Sequence, residues 1–502
     1  MRTAGARATG ADMRDVAIIG NGSLGMSLAR ILHEMEPSLS IAVIGPLGRP
    51  GAASTTAGAM LNCWAEMSPG SLEDPYLSQR FTLVRSALDL WDGWAAGLAD
   101  ETALPVDVRW GTDVINAPGG PPAEDIAFEY MLGAMTAEGI PHDDATRYAR
   151  RTLDPDPGRR PIRAERVPDG YVDSRQVIAA LDKSLRARGI EMIDGRASTV
   201  TAEQPGGSVE CGDGTVIRAG TVVIANGSFA RELRFRGCDL GSTVLPLFYG
   251  GGSALQLQLP SWTEPPDELR DLDIVIRTMD RGGACGYHLV PLGCPDFYFG
   301  ASSGVWDTPE ESHRAHALAF LLDGVEREFH KAFFHAGVTL RGPGFRPVSL
   351  DALPLIGATS ADGVWYLNGM KRDGFTSAPF IARELAKAIL GKPHMLPDDF
   401  VPERKPITYL TREKAIDAAV NATIGGELMH GLHLPPYRRD EWAEHARQKV
   451  SAVYDARGLD DFGVHPELVH FYEYDSTYQA YSHASPRPRQ APRQVNTRPH
   501  SG

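Results

Sequence analysis

The fold is decided by the stretch Val16-Ala17-Ile18-Ile19-Gly20-Asn21-Gly22-Ser23-Leu24-Gly25. An apolar run typical of a β-strand breaks into glycines, and apolar residues then recur at the spacing of an amphipathic helix. In such a strand–turn–helix unit Gly20 permits the turn, Gly22 lets a pyrophosphate approach the backbone, and Gly25 lets helix and strand pack closely. The helix N-terminus would present its N–H groups to the phosphates. The stretch therefore predicts a dinucleotide site; the alternative is an ordinary turn with accidental glycines.

Bulk composition excludes several classes of protein. The 502 residues suffice for two or three domains, and 42% of them are hydrophobic and 23% charged, as in soluble globular proteins. No apolar segment is long enough to span a membrane, and a net charge of −14 argues against nucleic acid as a partner. Residues 1–14 lack the apolar core of a secretory signal. We therefore expect a cytoplasmic protein with disordered tails at residues 1–13 and 485–502.

The cysteines favour free thiols over cross-links. Their number is odd and no two of them have C-x-x-C spacing: Cys63, Cys211, Cys238, Cys285 and Cys294. In a reducing cytoplasm such residues are usually buried free thiols. The sequence therefore predicts no metal site.

The second strand departs from the usual dinucleotide pattern. A strand predicted over residues 40–44 completes a βαβ unit of about 30 residues. An acid at its end would normally bind the adenosine ribose hydroxyls, but the chain has Gly45-Pro46 there. Arg49 follows shortly and could instead face a phosphorylated ribose. One missing acid does not decide between these alternatives, so the ribose contact stays open.

Further segments also suit a nucleotide-binding fold. Residues 51–60 carry almost only small side chains, so their backbone could approach a planar ring closely. Val172-Asp173-Ser174 opens an amphipathic helix, and residues 221–227 are typical of a buried strand that runs into a turn. Residues 368–374 form a second glycine turn that feeds a helix, for which Thr376 or Ser377 is a suitable cap.

Together these segments resemble the FAD-dependent D-amino-acid oxidase family, the group that contains glycine oxidase and sarcosine oxidase. The matching blocks follow one another in order over about residues 14–400. They are the Gly20 turn, the loop 54–60, the helix start at Val172, the strand and turn 222–227, and the segment from Gly344 to the Thr376 helix. The last block is the most discriminating, because a generic nucleotide-binding fold lacks its combination of an Arg-Pro pair, an Asp-x-x-Pro and a second glycine turn.

The resemblance implies an α/β (α+β) fold: a Rossmann-like FAD-binding domain with an inserted antiparallel-sheet substrate domain and a helical C-terminal extension. The FAD-binding domain would be discontinuous, comprising residues 14–95, 165–240 and 341–400. The substrate domain would comprise residues 96–164 and 241–340. The extension, residues 401–484, lies beyond the family core and could be a lid or a subunit contact.

The resemblance also implies which residues hold the cofactor. FAD would be bound non-covalently, because neither a histidine in the first loop nor a late cysteine is in place to attach it. The loop 54–60 would run beside the diphosphate and isoalloxazine, and residues 369–376 would meet the pyrimidine edge of the flavin. The predicted contacts are Gly20, Gly22, Ser23, Leu24, Gly25, Ser54, Thr55, Thr56, Ala57, Ala59, Met60, Gly227, Gly369, Met370, Lys371, Gly374 and Thr376.

Arg346 and Lys371 are candidates for binding the substrate. Amine oxidation by flavin requires mainly that the protein hold the substrate carboxylate, aim Cα–H at flavin N5 and exclude water. Arg346 aligns with the family's carboxylate-binding arginine, a task that a planar guanidinium suits; a structural arginine paired with an internal acid is the alternative. Lys371 takes the place of a substrate-binding lysine in sarcosine oxidase-like relatives, or is a solvated lysine.

Tyr287 and His288 are the other candidates, on a strand that matches one passing over the flavin. Because alternate residues of a strand face opposite sides, only one of them is expected to point into the pocket. Tyr287 could donate to the carboxylate, and His288 could accept the amine proton. Packing within the sheet is the alternative for each.

The resemblance implies an FAD-dependent oxidoreductase that oxidises the C–N bond of an amino acid or N-substituted glycine by hydride transfer to flavin N5. O2 is the expected electron acceptor and H2O2 the product, with a dehydrogenase as the alternative. The main rival is a specialised oxidase or dehydrogenase of secondary metabolism acting on an N–N-linked, cyclic or carrier-bound amino-acid derivative. A flavoprotein subunit or cofactor-free relative is the other rival, and a homodimer is among the oligomeric states left open.

Overall fold

The computed structural model describes residues 13–118, 120–204, 206–281, 286–429 and 436–474. Cys285 and the predicted tails lie outside these residues, except for Met13, which begins the first strand. The described residues form two β-sheets surrounded by helices. The mixed α/β architecture predicted from the sequence is therefore confirmed.

The first sheet is Rossmann-like. Parallel strands covered on both faces must be apolar throughout, and residues 16–19 and the strand Ile41–Ile44 are indeed buried without interruption. Val364–Asn368 pairs with the end of Val216–Ile224, and Leu355–Ala358 pairs with Val364–Asn368. The other strands follow in the order Arg234–Arg236, Ala197–Ala202, Gly207–Cys211, Val216–Ile224, Met13–Ile19, Ile41–Ile44 and Glu191–Ile193.

Three strands of this sheet end at the same edge, and the turns that follow them lie there. Met13–Ile19 runs parallel to Val216–Ile224, which in turn runs parallel to Val364–Asn368. Because parallel strands end at the same edge of a sheet, the turns that follow them at Gly20, Gly227 and Gly369 lie side by side. Open α/β sheets bind their ligands at this edge.

The second sheet is antiparallel, except that Val275–Thr278 runs parallel to Arg109–Asn116. Gly337–Ser349 pairs with Leu247–Gln258 along its whole length, across the domain boundary predicted at residue 341, and the division into domains stays a prediction. Asp143–Asp144 pairs with Arg163–Tyr171. The main path of the sheet is Gly304–Trp306, Leu247–Gln258, Asp296–Gly300, His288–Pro291, Val275–Thr278, Arg109–Asn116, Arg163–Tyr171 and Met60–Leu61.

Helices cover both sheets. The helix predicted after Val172 begins at Ser174, and the Asp173 carboxylate caps it by accepting the Arg175 N–H. In the part of the chain that the structure describes, no helix combines the length and apolar character needed to cross a bilayer. The α-helices are Ser23–Met35, Ala53–Thr56, Pro75–Leu88, Trp91–Thr102, Pro122–Ala137, Thr146–Thr152, Ser174–Ala187, Leu240–Thr243, Asp267–Arg270, Ala315–Gly324, Ala378–Ile389, Arg412–Met429, Pro436–Arg457 and Val469–Tyr474.

The described residues beyond 400 form a helical extension that packs on the second sheet. The extension shares an apolar core with strand residues Phe248 and Val348, to which it contributes Tyr454, Leu468 and Phe471 among others. The rings of Phe248 and Phe471 stack with their centroids 4.5 Å apart. This burial of apolar area fixes the extension against the strands that border the site described below.

A buried ion pair holds the segment that leads into the extension. Arg404 donates to both carboxylate oxygens of Asp351 at 2.9 and 2.8 Å and also reaches the carbonyls of Leu353 and Pro354. The Asp351 carboxylate also accepts the Ile407 N–H at 3.1 Å. Both charged side chains are almost fully buried, so each needs the other as its counter-charge.

Asp351→Asn is expected to lower the free energy of unfolding by about 3–5 kcal/mol, because it leaves the Arg404 guanidinium buried without a counter-charge. Urea or thermal unfolding measures the change. Asp460→Asn is the matched control, since Asp460 pairs with Arg412 at the surface, 83% exposed, and its loss is expected to leave stability nearly unchanged. Equal unfolding midpoints for the two variants would contradict the structural role of the buried pair.

Candidate active site

One large cavity opens at the edge where the three turns meet. Most of the predicted cofactor contacts line it: Gly20, Gly22, Ser23, Leu24, Ser54, Thr56, Ala57, Ala59, Met60, Gly227, Met370, Lys371, Gly374 and Thr376. Gly25, Thr55 and Gly369 stand just behind this lining. The Thr55 hydroxyl donates to the Ala52 carbonyl, and the backbone of Gly369 packs against Leu355. The structure therefore brings these widely separated segments to one place.

The first glycine turn and its helix form an anion-compatible wall. Gly20 has a φ of +125°, and a Cβ there would lie 2.3 Å from the Ala225 carbonyl oxygen, so no other residue fits. A Cβ on Gly25 would meet the Gly20 carbonyl oxygen at 2.0 Å. The helix Ser23–Met35 starts at Gly22 with no side-chain cap and no acidic residue in its first turn. The Ser54 hydroxyl accepts the Ser23 N–H at 3.1 Å, and the positive end of the helix still faces the cavity, where it suits an anionic ligand.

The missing ribose acid has a packing explanation. A Cβ on Gly45 would lie 2.5 Å from the side chain of Asn21, whose amide donates to the Pro46 carbonyl at 3.0 Å. The Asn21 side chain thus fills the space that an acidic side chain at position 45 would need. Arg49 donates to the Asn21 carbonyl and pairs with Asp182 at 2.7 Å. Because its charge is already matched by Asp182, the structure gives no support to a phosphorylated ribose at Arg49.

The second glycine turn is tied to its neighbours through backbone oxygens. The Asn368 amide donates to the Gly227 carbonyl at 3.1 Å, and the Thr376 hydroxyl donates to the Met60 carbonyl at 3.2 Å. The following helix, Ala378–Ile389, has Ser377 at its N-cap position but no side-chain cap. The Ser377 hydroxyl instead donates to the Asp373 carbonyl. The predicted capping by the side chain of Thr376 or Ser377 is therefore wrong, because the Thr376 hydroxyl binds the Met60 carbonyl and the Ser377 hydroxyl binds the Asp373 carbonyl.

Tyr287 and His288 face opposite sides of the second sheet, and only His288 lines the cavity. The Tyr287 hydroxyl donates to the Phe320 carbonyl at 3.1 Å, and its ring stacks on Phe320 at 4.4 Å. Tyr287 is thus a core residue between the sheet and the helix Ala315–Gly324. The geometry offers no support for its predicted contact with a substrate carboxylate, because the strand points its side chain away.

His288 is a buried neutral imidazole. Burial lowers the pKa of His288 to about 3, and the nearby guanidinium groups of Arg277 and Arg372 act in the same direction. The ring stacks on Tyr298 with centroids 5.6 Å apart. Its Nδ1 atom has no hydrogen-bond partner among the described residues. A buried, unsatisfied ring nitrogen on a cavity wall suits a ligand that supplies the missing contact.

Arg346 lines the cavity from the strand Gly337–Ser349. Its Nη2 donates to the Gly251 carbonyl at 3.1 Å and to the Ser303 hydroxyl at 3.0 Å. These bonds fix the plane of the guanidinium beside the small residues of the neighbouring strand. A fixed guanidinium plane favours recognition of a carboxylate through paired hydrogen bonds.

Lys371 adopts a φ of +49° in the second glycine turn and also lines the cavity. It is not a solvated lysine: its Nζ lies 2.7 Å from a carboxylate oxygen of Glu467, in the extension. The structure therefore joins a predicted site residue to a segment for which the sequence predicted only a lid or a subunit contact.

Sequence reasoning missed a buried charge cluster beside His288. Glu66 lines the cavity, and its carboxylate accepts from Arg277 at 2.8 Å and lies 3.5 Å from Arg372. Burial alone would raise the pKa of Glu66, but Arg277 and Arg372 outweigh it and lower the pKa to about 2. Arg372 also pairs with Asp280 at 2.5 Å. In the sequence, only the position of Glu66, shortly after the small side chains of residues 51–60, indicated that it could lie at the site.

Comparison with known proteins identifies a family. The family model described as FAD dependent oxidoreductase (DAO) matches residues 15–388. The bifunctional protein ThiO/ThiG of Synechocystis sp. is 25% identical over 379 residues, which make up 75% of this chain and 51% of that protein. The chain therefore spans about half the length of the curated relatives it matches.

Solved structures share the fold. Glycine oxidase from Geobacillus kaustophilus superposes with a TM-score of 0.65 at 20% identity and covers 78% of this chain and 99% of its own. Iminodiacetate oxidase from Chelativorans sp. BNC1 has a TM-score of 0.63 at 18% identity and covers 77% and 98%. At such identities the likeness shows the fold alone.

The residues present fit the FAD that the family uses. The N-terminus of the helix behind Gly22 suits a diphosphate, and the small side chains of residues 51–60 leave room for a ring. The cavity-lining residue His288 also has a ring nitrogen, Nδ1, with no hydrogen-bond partner among the described residues. The family match covers most of the sequence, and the cofactor in its name is the one that the cavity fits. The chain belongs to the FAD-dependent oxidoreductase (DAO) family, and FAD is the cofactor of this enzyme.

Proposed function

We propose that the enzyme oxidises the C–N bond of an amino acid or N-substituted glycine. The observation that carries the proposal is the guanidinium of Arg346, held in the cavity wall by Gly251 and Ser303. A substrate carboxylate is the ligand that such a group recognises best. The names of the structural neighbours, glycine oxidase and iminodiacetate oxidase, point to the same class of substrate.

Bound FAD would supply the two-electron acceptor for the hydride from substrate Cα, with O2 as the expected final acceptor and H2O2 as the expected product. The chain's own residues bind and orient. Arg346 holds the carboxylate, so that Cα presents its hydrogen in one direction. The neutral imidazole of His288 accepts a hydrogen bond from the substrate amine. The buried wall around Tyr298 and Phe345 excludes water until the product leaves.

A larger amino-acid derivative of secondary metabolism is the second candidate substrate. A smaller cavity shares Gly252 and Ser253 with the main one and continues toward Trp306 and His316. This space would accommodate a ring or a linker attached to the amino acid. The reaction at the C–N bond would be the same, and only the group beyond Cα would differ.

Anaerobic titration tests the proposed reaction. Purified protein is mixed with glycine, sarcosine, D-alanine or L-proline in the absence of O2, and absorbance near the flavin maximum is followed. Bleaching, followed by H2O2 formation when air is admitted, is the expected result. A flavin-loaded protein that none of these compounds bleaches, but that an N–N-linked or carrier-bound derivative does, would favour the second candidate.

Arg346→Ala is expected to lower the second-order rate of flavin reduction by about a hundredfold, because about 3 kcal/mol of charge-assisted hydrogen bonding to the carboxylate is lost. Stopped-flow reduction measures the rate, and the absorbance of the purified variant shows that FAD is retained. Arg236→Ala, at an exposed arginine of the first sheet, is the control and is expected to reduce normally. Unchanged reduction in Arg346→Ala would remove this residue from the substrate site.

His288→Phe is expected to slow flavin reduction by about 10- to 100-fold while keeping the stacking on Tyr298. Because the pKa of His288 lies at about 3, the imidazole stays neutral from pH 5.5 to 8, and the wild-type rate is expected to show no inflection near pH 6.5 caused by this residue. Reduction rates across this pH range measure both effects. A wild-type inflection near pH 6.5 that vanishes in His288→Phe would contradict the neutral assignment.

A further inference from the structure

The extension brings two polar side chains of its own to the candidate active site. The segment between Phe462 and Leu468, both buried in the extension's core, carries His465 and Glu467. Both are mostly buried, with 16% and 17% of their side chains exposed. The family match ends at residue 388, so these two residues lie outside the part of the chain that the family describes.

Glu467 is the counter-charge of the second glycine turn. One carboxylate oxygen lies 2.7 Å from Lys371 Nζ, and the other lies 3.5 Å from Arg372. The ring of His465 lies beside the same ammonium, with Nε2 3.2 Å from Lys371 Nζ. Although burial opposes ionisation, Lys371 and Arg372 hold the pKa of Glu467 well below its usual range, so the carboxylate is charged.

Glu467 is also connected to the proposed carboxylate-binding arginine. The Ser303 hydroxyl donates to Glu467 at 3.3 Å and accepts from Arg346 at 3.0 Å. A continuous path of short contacts therefore runs from Arg346 through Ser303 and Glu467 to Lys371. Arg346 and Lys371 could each bind a substrate carboxylate, and the side chain of Glu467 links the two.

The apolar packing of the extension holds this carboxylate in place. Leu468, the neighbour of Glu467, is fully buried, and Phe471 stacks on Phe248 of the second sheet. Withdrawing Glu467 would expose this core and leave Lys371 buried without a counter-charge, which is costly. Glu467 is therefore a fixed part of the site.

We propose that Glu467 is a specificity-determining residue: by occupying Lys371 with an internal carboxylate, it leaves Arg346 as the cation for the substrate and disfavours substrates with a second carboxylate. This inference rests on the proposed function, in which Arg346 binds the substrate carboxylate. Glu467 acts through Lys371 and is a positioning residue. Removing its charge while keeping its shape should convert Lys371 into a second carboxylate site.

Glu467→Gln is the decisive variant, and acetate, malonate and succinate are the probes, titrated by calorimetry into the FAD-saturated enzyme. Malonate or succinate is expected to bind about tenfold more tightly to Glu467→Gln than to the wild type, with a smaller gain for acetate. The double variant Glu467→Gln with Lys371→Met is expected to lose the gain. Because it removes both charges together, it also folds without an unpaired buried ion.

A pH series separates this role from a merely structural one. The charged groups facing Lys371 are Glu467, Arg372 and Arg80, with the neutral ring of His465. Burial lowers the pKa of Lys371, and Glu467 is the group that raises it. In Glu467→Gln the ammonium therefore loses its proton at lower pH than in the wild type. The gain in affinity is expected at pH 6.5 and is expected to shrink toward pH 9.

The controls keep the two proposals distinguishable. Asp460→Asn changes an exposed carboxylate of the same extension to an amide and is expected to leave all three affinities unchanged. No gain for either dicarboxylate in folded, yellow Glu467→Gln would overturn the role of Glu467, as would a gain that persists without Lys371. If Arg346→Ala binds acetate as tightly as the wild type, this result counts against the proposed function. It does so independently of the result for Glu467→Gln.

Discussion

The backbone hydrogen bonds that pair Met13–Ile19 with Val216–Ile224, and Val216–Ile224 with Val364–Asn368, bring together turns that begin at residues 20, 227 and 369. Parallel pairing fixes the position of these turns, because each strand ends at the same edge of the sheet. The amide of Asn368 then locks two of the turns to each other. The cavity of the candidate site depends on this pairing, and the second sheet closes it and contributes Arg346 and His288 to its lining.

The second constraint on the site is electrostatic. Glu66, Arg277, Arg372, Glu467 and Lys371 form alternating contacts at one end of the cavity, each largely shielded from water. Buried charges are tolerated when each finds an opposite charge within hydrogen-bonding reach. A change at one member therefore disturbs its neighbours, and His288, beside this cluster, is kept neutral by its burial and by the guanidinium groups of Arg277 and Arg372.

The parts of the fold that depend on local patterns could be predicted from the sequence. The Gly20 turn, the capped helix at Ser174 and the second glycine turn are each encoded within about ten residues, and the alternation of Tyr287 and His288 follows from strand geometry. The pairing of Glu66 with Arg277, and of Lys371 with Glu467, could not be predicted. Each joins residues far apart in the chain, and nothing in the sequence around one partner identifies the other. Local propensity also misassigned the hydroxyl of Ser377, because the Asp373 carbonyl, which already accepts the Ser377 N–H, accepts the hydroxyl as well.

The contact between Asn21 and Gly45 has an evolutionary consequence. A side chain at position 45 collides with the Asn21 amide, and shrinking residue 21 alone leaves a gap beside the turn and removes the bond to Pro46. Each single replacement is therefore disfavoured, although the pair exchanged together would restore the more familiar arrangement of an acid at the strand end. The two positions are expected to covary among descendants of this sequence, and directed evolution of this strand end would require both replacements at once.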